Sequence, residues 1–216
     1  MHYLKNLSLF FLISFVTYLP ASNSDIFYRS VSGVVFIAGD NGMGSGVIIS
    51  EHGYVLTNWH VIEDNPNLHA LTLGEGEFEE NMREFEVIKY NPQKDLALLK
   101  LKTLPEGINI IRISKVVQEV GDRVHAIGHP SGEMWSYTMG YISAIREDYS
   151  WTHSEEEHGF SGDVYQMQTP INPGNSGGPL LNDHGNLVGI NTFIDSSSQN
   201  ITYAVTVEEI IRFLAS

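Results

Sequence analysis

Three short segments carry side chains able to do chemistry together: His60 in YVLTNWHVI, Asp95 in NPQKDLALLK and Ser176 in INPGNSGGPLL. A serine hydroxyl is a poor nucleophile near neutral pH and needs a positioned base. Histidine suits that task because its reference pKa is about 6.5, and a carboxylate on its other ring nitrogen fixes the tautomer and stabilises the imidazolium. Singly, each residue fits a plainer part: a polar surface histidine, an aspartate capping a turn, a flexible glycine loop. Their order along the chain, His then Asp then Ser, is one in which an acyl-transfer triad is known to occur.

The elements that must hold these residues read as strands. SVSGVVFIAG, GSGVIIS, EHGYVLT, LHALTL, EFEVIKY and DLALLKL are short, rich in Val and Ile, and punctuated by Gly, Asn, Asp or Pro. After a less regular connector near 103–118 comes a second set: DRVHAIG, MWSYTMGYISAIRE, VYQMQT, GPLLN, LVGINTFI and ITYAV. Many short strands at regular spacing point to an all-β sandwich or barrels and against a parallel sheet alternating with long helices. TVEEIIRFLAS places Val207, Ile210, Ile211 and Leu214 at helical spacing, which predicts a terminal helix over 206–215 with Thr206 as N-cap.

Composition narrows the chemistry. With 12 Lys and Arg against 26 Asp and Glu, the 216-residue chain has a formal charge of −14 and no basic stripe. Nucleic-acid affinity rests on neutralising phosphates, so a nucleic-acid partner is disfavoured. The absence of cysteine excludes disulfides, thiolate nucleophiles and the usual zinc-finger spacings. Glu75, Glu77, Glu79, Glu80, Glu84 and Glu86 crowd one region, and Asp148 with Glu155, Glu156 and Glu157 marks another, where His153 and His158 flank the acids. None has the spacing of a calcium or zinc site, so they read as solvated charge, with neither metal nor cofactor expected.

At the N-terminus Lys5 precedes an apolar stretch from Leu7 to Leu19, and Pro20, Ala21 and Ser22 follow. That pattern is a secretory signal peptide, taken as residues 1–22, and it is short for a membrane span. The expectation is export to a periplasm or the exterior, with residues 23–216 as the mature domain.

TNWHVI, DLALLK and INPGNSGGPLLNDHGNLVGINT together resemble the trypsin-like (chymotrypsin-fold) serine proteases of the HtrA/Deg group. GMGSGVIIS at 42–50, AIGHPSG at 126–132 and YAVTVEEI at 203–210 extend the match over most of the chain after residue 30. The resemblance implies two six-stranded antiparallel β-barrels with a short C-terminal helix. The N-terminal barrel would run over about 30–103 and the C-terminal one over about 119–206, with the active site in the cleft between them. His60 and Asp95 would come from the first barrel and Ser176 from the second. The implied activity is peptide-bond hydrolysis through an acyl-enzyme on Ser176, with Gly174 and Ser176 as oxyanion donors and Asn175 shaping their loop. The alternative is a weakly catalytic protease-fold protein that binds peptides or acts as a holdase.

Departures from the wider family refine this reading. Digestive trypsin-like enzymes carry Asp before the serine and pair it with a newly cut N-terminus, whereas Asn175 is neutral, so activity independent of such a cut is expected. Pro170 stands six residues before the serine, where an acidic pocket floor would sit. The resemblance implies a small apolar pocket, lined partly by Ile171 and by residues near Thr192 and Ala204, that favours cleavage after small or medium aliphatic residues. Asn191, Thr192 and Phe193 are expected to pair with the substrate backbone as an added strand. Trp59, unusual before the histidine, either shapes the cleft or serves as packing. Most HtrA relatives continue into a peptide-binding PDZ domain, while this sequence stops at Ser216 after the terminal helix. The expected partners are therefore protein or peptide substrates with no PDZ-mediated partner, and the oligomeric state is left open.

Overall fold

A computed structural model describes residues 22–74, 78–152, 159–194 and 201–216. The signal segment, the acidic residues Glu75 and Glu77 and the His153–His158 cluster lie outside the described residues, apart from Ser22.

Strands dominate, as the short Val- and Ile-rich runs require. After α1 (Asn23–Ser30) come β1 (Val34–Gly39), β2 (Gly42–Ile48), β3 (Tyr54–Thr57), the single turn α2 (Trp59–Ile62), β4 (His69–Leu71), β5 (Met82–Arg83), β6 (Phe85–Asn91) and β7 (Leu96–Leu101). The second half comprises β8 (Arg123–Gly128), β9 (Ser136–Trp151), β10 (Phe160–Met167), β11 (Pro179–Leu181), β12 (Leu187–Ile194) and β13 (Thr202–Thr206), and it ends in α3 (Val207–Ala215). The first half is a seven-stranded antiparallel sheet ordered β5-β4-β1-β2-β3-β7-β6. The second is a closed six-stranded barrel, β10-β13-β12-β11-β8-β9. The all-β, two-unit architecture thus stands, with an extra short strand, β5, in the first unit.

Strand alternation explains why the apolar runs looked nearly continuous. Side chains on successive residues point to opposite faces. In β1, β3 and β7, Val35, Ile37, Val55, Ala97, Leu99 and Leu101 fill the core of the first half. Their neighbours Val34, Leu56, Leu96 and Leu98 face the other way, into an apolar layer shared with Ile127, Leu181, Ile190 and Val205 of the barrel. Leu180, Val188, Val124, Ile142, Tyr165 and Met167 fill the barrel itself. One set of strands therefore serves an internal core and the contact between halves. At about 1.5–3 kcal/mol for each large apolar side chain buried, that shared layer is a substantial tie.

α3 follows its expected bounds, and the Thr206 side chain accepts from the Glu209 N–H. Its buried face is Val207, Ile210 and Phe213, while Ile211 is largely exposed. At 100° per residue Ile210 falls between Phe213 and Val207, so the buried stripe turns towards Phe213 and leaves Ile211 outside it. Glu209 is buried on the same helix and pairs with Lys94 Nζ at 3.0 Å. Lys94 immediately precedes Asp95, so the C-terminal helix grips the turn that carries the aspartate.

Candidate active site

His60 sits in the one-turn α2, directly after β3. Asp95 ends a turn that the local sequence builds. Asn91 caps it, its side chain accepting from Lys94 N–H at 3.1 Å, and Pro92 opens it with a pre-set φ. Asp95 closes it in the left-handed region at φ 52°, a conformation aspartate tolerates better than most residues. The Asn58 side-chain amide clamps the Asp95 carbonyl at 2.8 Å.

The Asp95 side chain is fully buried, whereas that of His60 is 20% exposed. His60 Nδ1 lies 2.8 Å from Asp95 Oδ2 and 3.0 Å from Oδ1, and the His60 backbone N–H donates to Oδ1 at 3.0 Å. A carboxylate only accepts, so the ring proton resides on Nδ1 and Nε2 is the basic nitrogen. Thr192 Oγ1 adds a third donor, to Oδ2 at 2.6 Å. Thr192 occupies a register shift in the β12–β13 ladder, between Asn191 paired with Ala204 and Phe193 paired with Tyr203. A bulge of this kind re-aims a side chain, here across the cleft from the barrel to a residue of the first half.

Ser176 follows the segment Asn172-Pro173-Gly174-Asn175. Pro at the second place and Gly at the third are the signature of a type II turn. Asn175 N–H closes that turn on Asn172 O at 3.0 Å, and Gly174 has φ +102°. The Pro173 carbonyl is taken by Ser131 N–H at 2.8 Å. Because a trans peptide sets its N–H opposite its carbonyl, Gly174 N–H faces the other way, into the cleft. Among the described residues, the backbone N–H groups of Gly174 and Ser176 donate to no acceptor. Asn175 has given its N–H to the turn and its buried side chain packs against Gly128, so it shapes the loop and does not donate into it.

Ser176 O accepts from Ser45 N–H at 2.7 Å, which ties the catalytic loop to β2. Gly177 has φ +83°, and a Cβ there would lie 2.2 Å from both Ser45 O and Thr57 Oγ1. Turn chemistry alone therefore understates this glycine, since the two halves meet on it. Ser176 Oγ donates to Thr192 O at 3.0 Å in this structure.

A cavity of about 410 Å³ opens beside the triad, lined by Met43, His60, Thr152, Ile171, Asn172, Pro173, Gly174, Ser176, Asn191, Thr192 and Phe193. Ile171, Asn191, Thr192 and Phe193 thus gather at the cleft. Ala204 does not. It is buried in the barrel core, paired with Asn191 and Tyr165. Pro170 is exposed and is not among the lining residues. Phe193 stacks on Tyr203 at 4.3 Å and on Trp151 at 5.1 Å, which fixes one wall of the cavity. On the side of β12 away from β13, Asn191 bonds Gly177 and Gly178 through its carbonyl and N–H, and the next residues, Thr192 and Phe193, line the cavity. Trp59 stacks on the exposed Tyr90 ring at 4.1 Å, and it does not line the cavity.

Met43, Thr152 and the clamps Ser45, Thr57 and Asn58 were not singled out by their types in the sequence. Only GSG flanking Ser45 was a signal, because small residues mark a close backbone approach. Among the described residues no group of three acidic or histidine side chains is placed to hold a metal ion.

Residues 44–190 match the family model described as "Trypsin-like peptidase domain". The chain is 38% identical over 156 residues to "Probable periplasmic serine endoprotease DegP-like" of Chlamydia trachomatis serovar D, a match covering 72% of this chain and 29% of the relative. It is 33% identical over 179 residues to "Protease Do-like 1, chloroplastic" of Arabidopsis thaliana, covering 78% of this chain and 38% of that protein. In three dimensions it resembles the crystal structure of the serine endoprotease from Yersinia pestis, with TM-score 0.73 and 29% identity, covering 91% of this chain and 66% of the other. The chain therefore spans about a third of the length of these curated relatives.

Proposed function

The chain belongs to the trypsin-like peptidase family, within its HtrA/Deg group, and on that premise we propose that it is a serine endopeptidase acting on unfolded or extended protein substrates. The observation that carries this reading is the His60–Asp95 pair, 2.8 Å apart, beside Ser176 and two uncommitted N–H groups in one cleft. Histidine Nε2 takes the proton from Ser176 Oγ as the hydroxyl attacks the scissile carbonyl. The tetrahedral oxyanion is met by Gly174 and Ser176 N–H, and His60 then protonates the departing amine. Water repeats the sequence on the acyl-enzyme.

Apolar Ile171 in the cavity, with no carboxylate among the described lining residues, supports cleavage after small or medium aliphatic residues. The substrate backbone pairs with β12 at Asn191–Phe193, which line the cavity. Residues 1–22 act as a signal peptide that directs the protein to a periplasm or the exterior, a reading supported by the periplasmic naming of its relatives.

A peptide-binding protein or holdase is the second reading, and the bond from Ser176 Oγ to Thr192 O favours it, because the hydroxyl is not engaged with its base. Hydrolysis of fluorescein-labelled casein, compared between wild type and Ser176→Ala, separates the two. Loss of hydrolysis with Ser176→Ala is expected. Equal behaviour of both proteins would leave peptide binding as the function.

A further inference from the structure

A histidine that the triad does not use lies behind the loop carrying Gly174. His129 is fully buried. Its ring is wedged between Phe36, at 5.1 Å, and the edge-on ring of Trp135, at 5.3 Å. Its Nδ1 lies 2.8 Å from Ser45 Oγ, and Ser45 Oγ lies 2.7 Å from the carbonyl oxygen of Gly174.

The directions of these two bonds can be worked out. A carbonyl oxygen only accepts, so the Ser45 proton goes to Gly174, and Ser45 Oγ must accept from His129 Nδ1–H. A donor chain results, from His129 through Ser45 to Gly174. The opposite tautomer would set the Nδ1 lone pair in competition with Gly174 for the same hydroxyl proton. The main chain reinforces the arrangement, since a Cβ on Gly174 would lie 2.2 Å from the His129 carbonyl oxygen.

His129 Nε2 has no partner and is buried. A buried polar atom without a hydrogen bond opposes folding, so stability alone would favour an apolar residue at this place. What an apolar residue lacks is the Nδ1–H.

We infer that His129 is a positioning residue for the oxyanion hole: as the neutral Nδ1–H tautomer it directs the Ser45 hydroxyl onto the Gly174 carbonyl and so keeps the Gly174 N–H turned into the cleft. It touches no substrate atom. With Pro173 O held by Ser131 N–H of the barrel and Gly174 O held by Ser45 of β2, the peptides on both sides of Gly174 are anchored, one from each half. This preorganises the donor before a substrate arrives, which is the condition under which such donors lower a barrier. The inference rests on Ser176 being the nucleophile.

The experiment compares wild type, His129→Phe and His129→Asn in two assays: labelling of Ser176 by a fluorophosphonate, and initial rates on fluorescein-labelled casein over a range of concentrations. Phe keeps an aromatic ring of similar size without a donor. Asn places an amide N–H on Cγ, where the histidine carries Nδ1. With His129→Phe, labelling and kcat should fall about 10- to 100-fold with KM nearly unchanged, less than the loss of an oxyanion donor outright. His129→Asn should restore most of the activity, and His129→Phe should not melt below the wild type. A His129→Phe enzyme as fast as wild type, or an Asn variant as slow as Phe, overturns the inference. Wild type that takes no label overturns the reading of Ser176 and this inference with it. If His129→Phe does not fold, long-range 1H–15N spectra of the Ser176→Ala protein decide, with His129 assigned from the His129→Asn spectrum. A proton on Nδ1 and a bare Nε2 are expected, and the reverse tautomer or an imidazolium overturns the assignment.

Discussion

The hydroxyl of Thr192, on a strand of the barrel, donates at 2.6 Å to the carboxylate of Asp95, on a turn of the seven-stranded sheet. The His60–Asp95 pair of one half thus receives a further donor from the other, and the carbonyl of the same threonine receives Ser176 Oγ. Replacing Thr192 with Val keeps the shape and removes the donor from a buried charge, which typically costs about 1.5–3 kcal/mol. Thr192→Val should lower kcat about 10-fold or more with little change in KM, read from initial rates of casein or peptide cleavage.

Asp95→Asn tests the tautomer directly. The amide can donate to His60 Nδ1, which leaves the proton on Nε2 and removes the base. A fall in kcat on the order of 10⁴ is expected, the effect of the same change in a trypsin-like Ser-His-Asp triad, measured with a sensitive fluorogenic peptide. Folding should persist, because the Asn58 clamp reaches the backbone carbonyl of residue 95 and is indifferent to its side chain.

Gly174→Ala places a methyl 2.2 Å from the His129 carbonyl at a φ of +102°. Either the loop moves or the turn rearranges, and in both cases the N–H leaves its position. Activity should drop by roughly 10²–10³, the magnitude seen when one oxyanion donor is lost. Fluorophosphonate labelling should slow in parallel, and casein binding measured in a Ser176→Ala background should be retained.

Stability should depend on pH through His129. Burial alone holds its imidazole down to about 3, against 6.5 for the free residue. The folded state keeps it neutral while the unfolded chain takes up a proton below 6.5. Its contribution is therefore complete above that pH and erodes as the pH falls towards 3, by about 1 kcal/mol per pH unit. The Arg123 guanidinium holds Asp183 below the usual carboxylate range. That contribution is present above the unfolded carboxylate pKa and is lost only at lower pH, as the pH falls through the folded value. Urea unfolding of the Ser176→Ala protein between pH 7 and 5 should show the histidine slope, and adding His129→Asn should flatten it.

Glu209 links the C-terminal helix to the triad. Burial would raise its pKa, but Arg212, Lys94 and the Asp163 N–H outweigh that and hold it lowered and charged. Removing one partner of a buried pair leaves the other uncompensated. Lys94 is 30% exposed and so partly rehydrates, which brings the expected cost of Glu209→Ala down to about 1–3 kcal/mol. A lower melting temperature checks this, as does a drop in kcat from a looser Lys94–Asp95 turn.

Much of this was legible from local sequence. Asn-Pro before Gln-Lys-Asp writes the turn that presents Asp95, Asn-Pro-Gly-Asn writes the type II turn before Ser176, and Thr206 with Val207 and Ile210 writes the last helix. Each depends on φ preferences or a short-range hydrogen bond, and those are properties of a few consecutive residues. The short Val-, Ile- and Leu-rich runs likewise implied strands, without saying what lay on either face of them.

The tertiary structure decided what depends on residues far apart in the chain. Ala204 reads as a pocket residue from its neighbours, yet a strand's two faces differ only in which side the barrel closes on, and its side chain falls inside. Thr192 reads as pocket wall, and only the register shift in β12 turns its hydroxyl towards Asp95. GSG marks a close approach at Ser45 but not what approaches, and His129, 84 residues away, has no local pattern to announce it, because their roles arise from two halves closing on one loop. His60, Asp95 and Ser176 were picked out by residue type and order. Their convergence rests on contacts between the halves, which no short window of sequence contains.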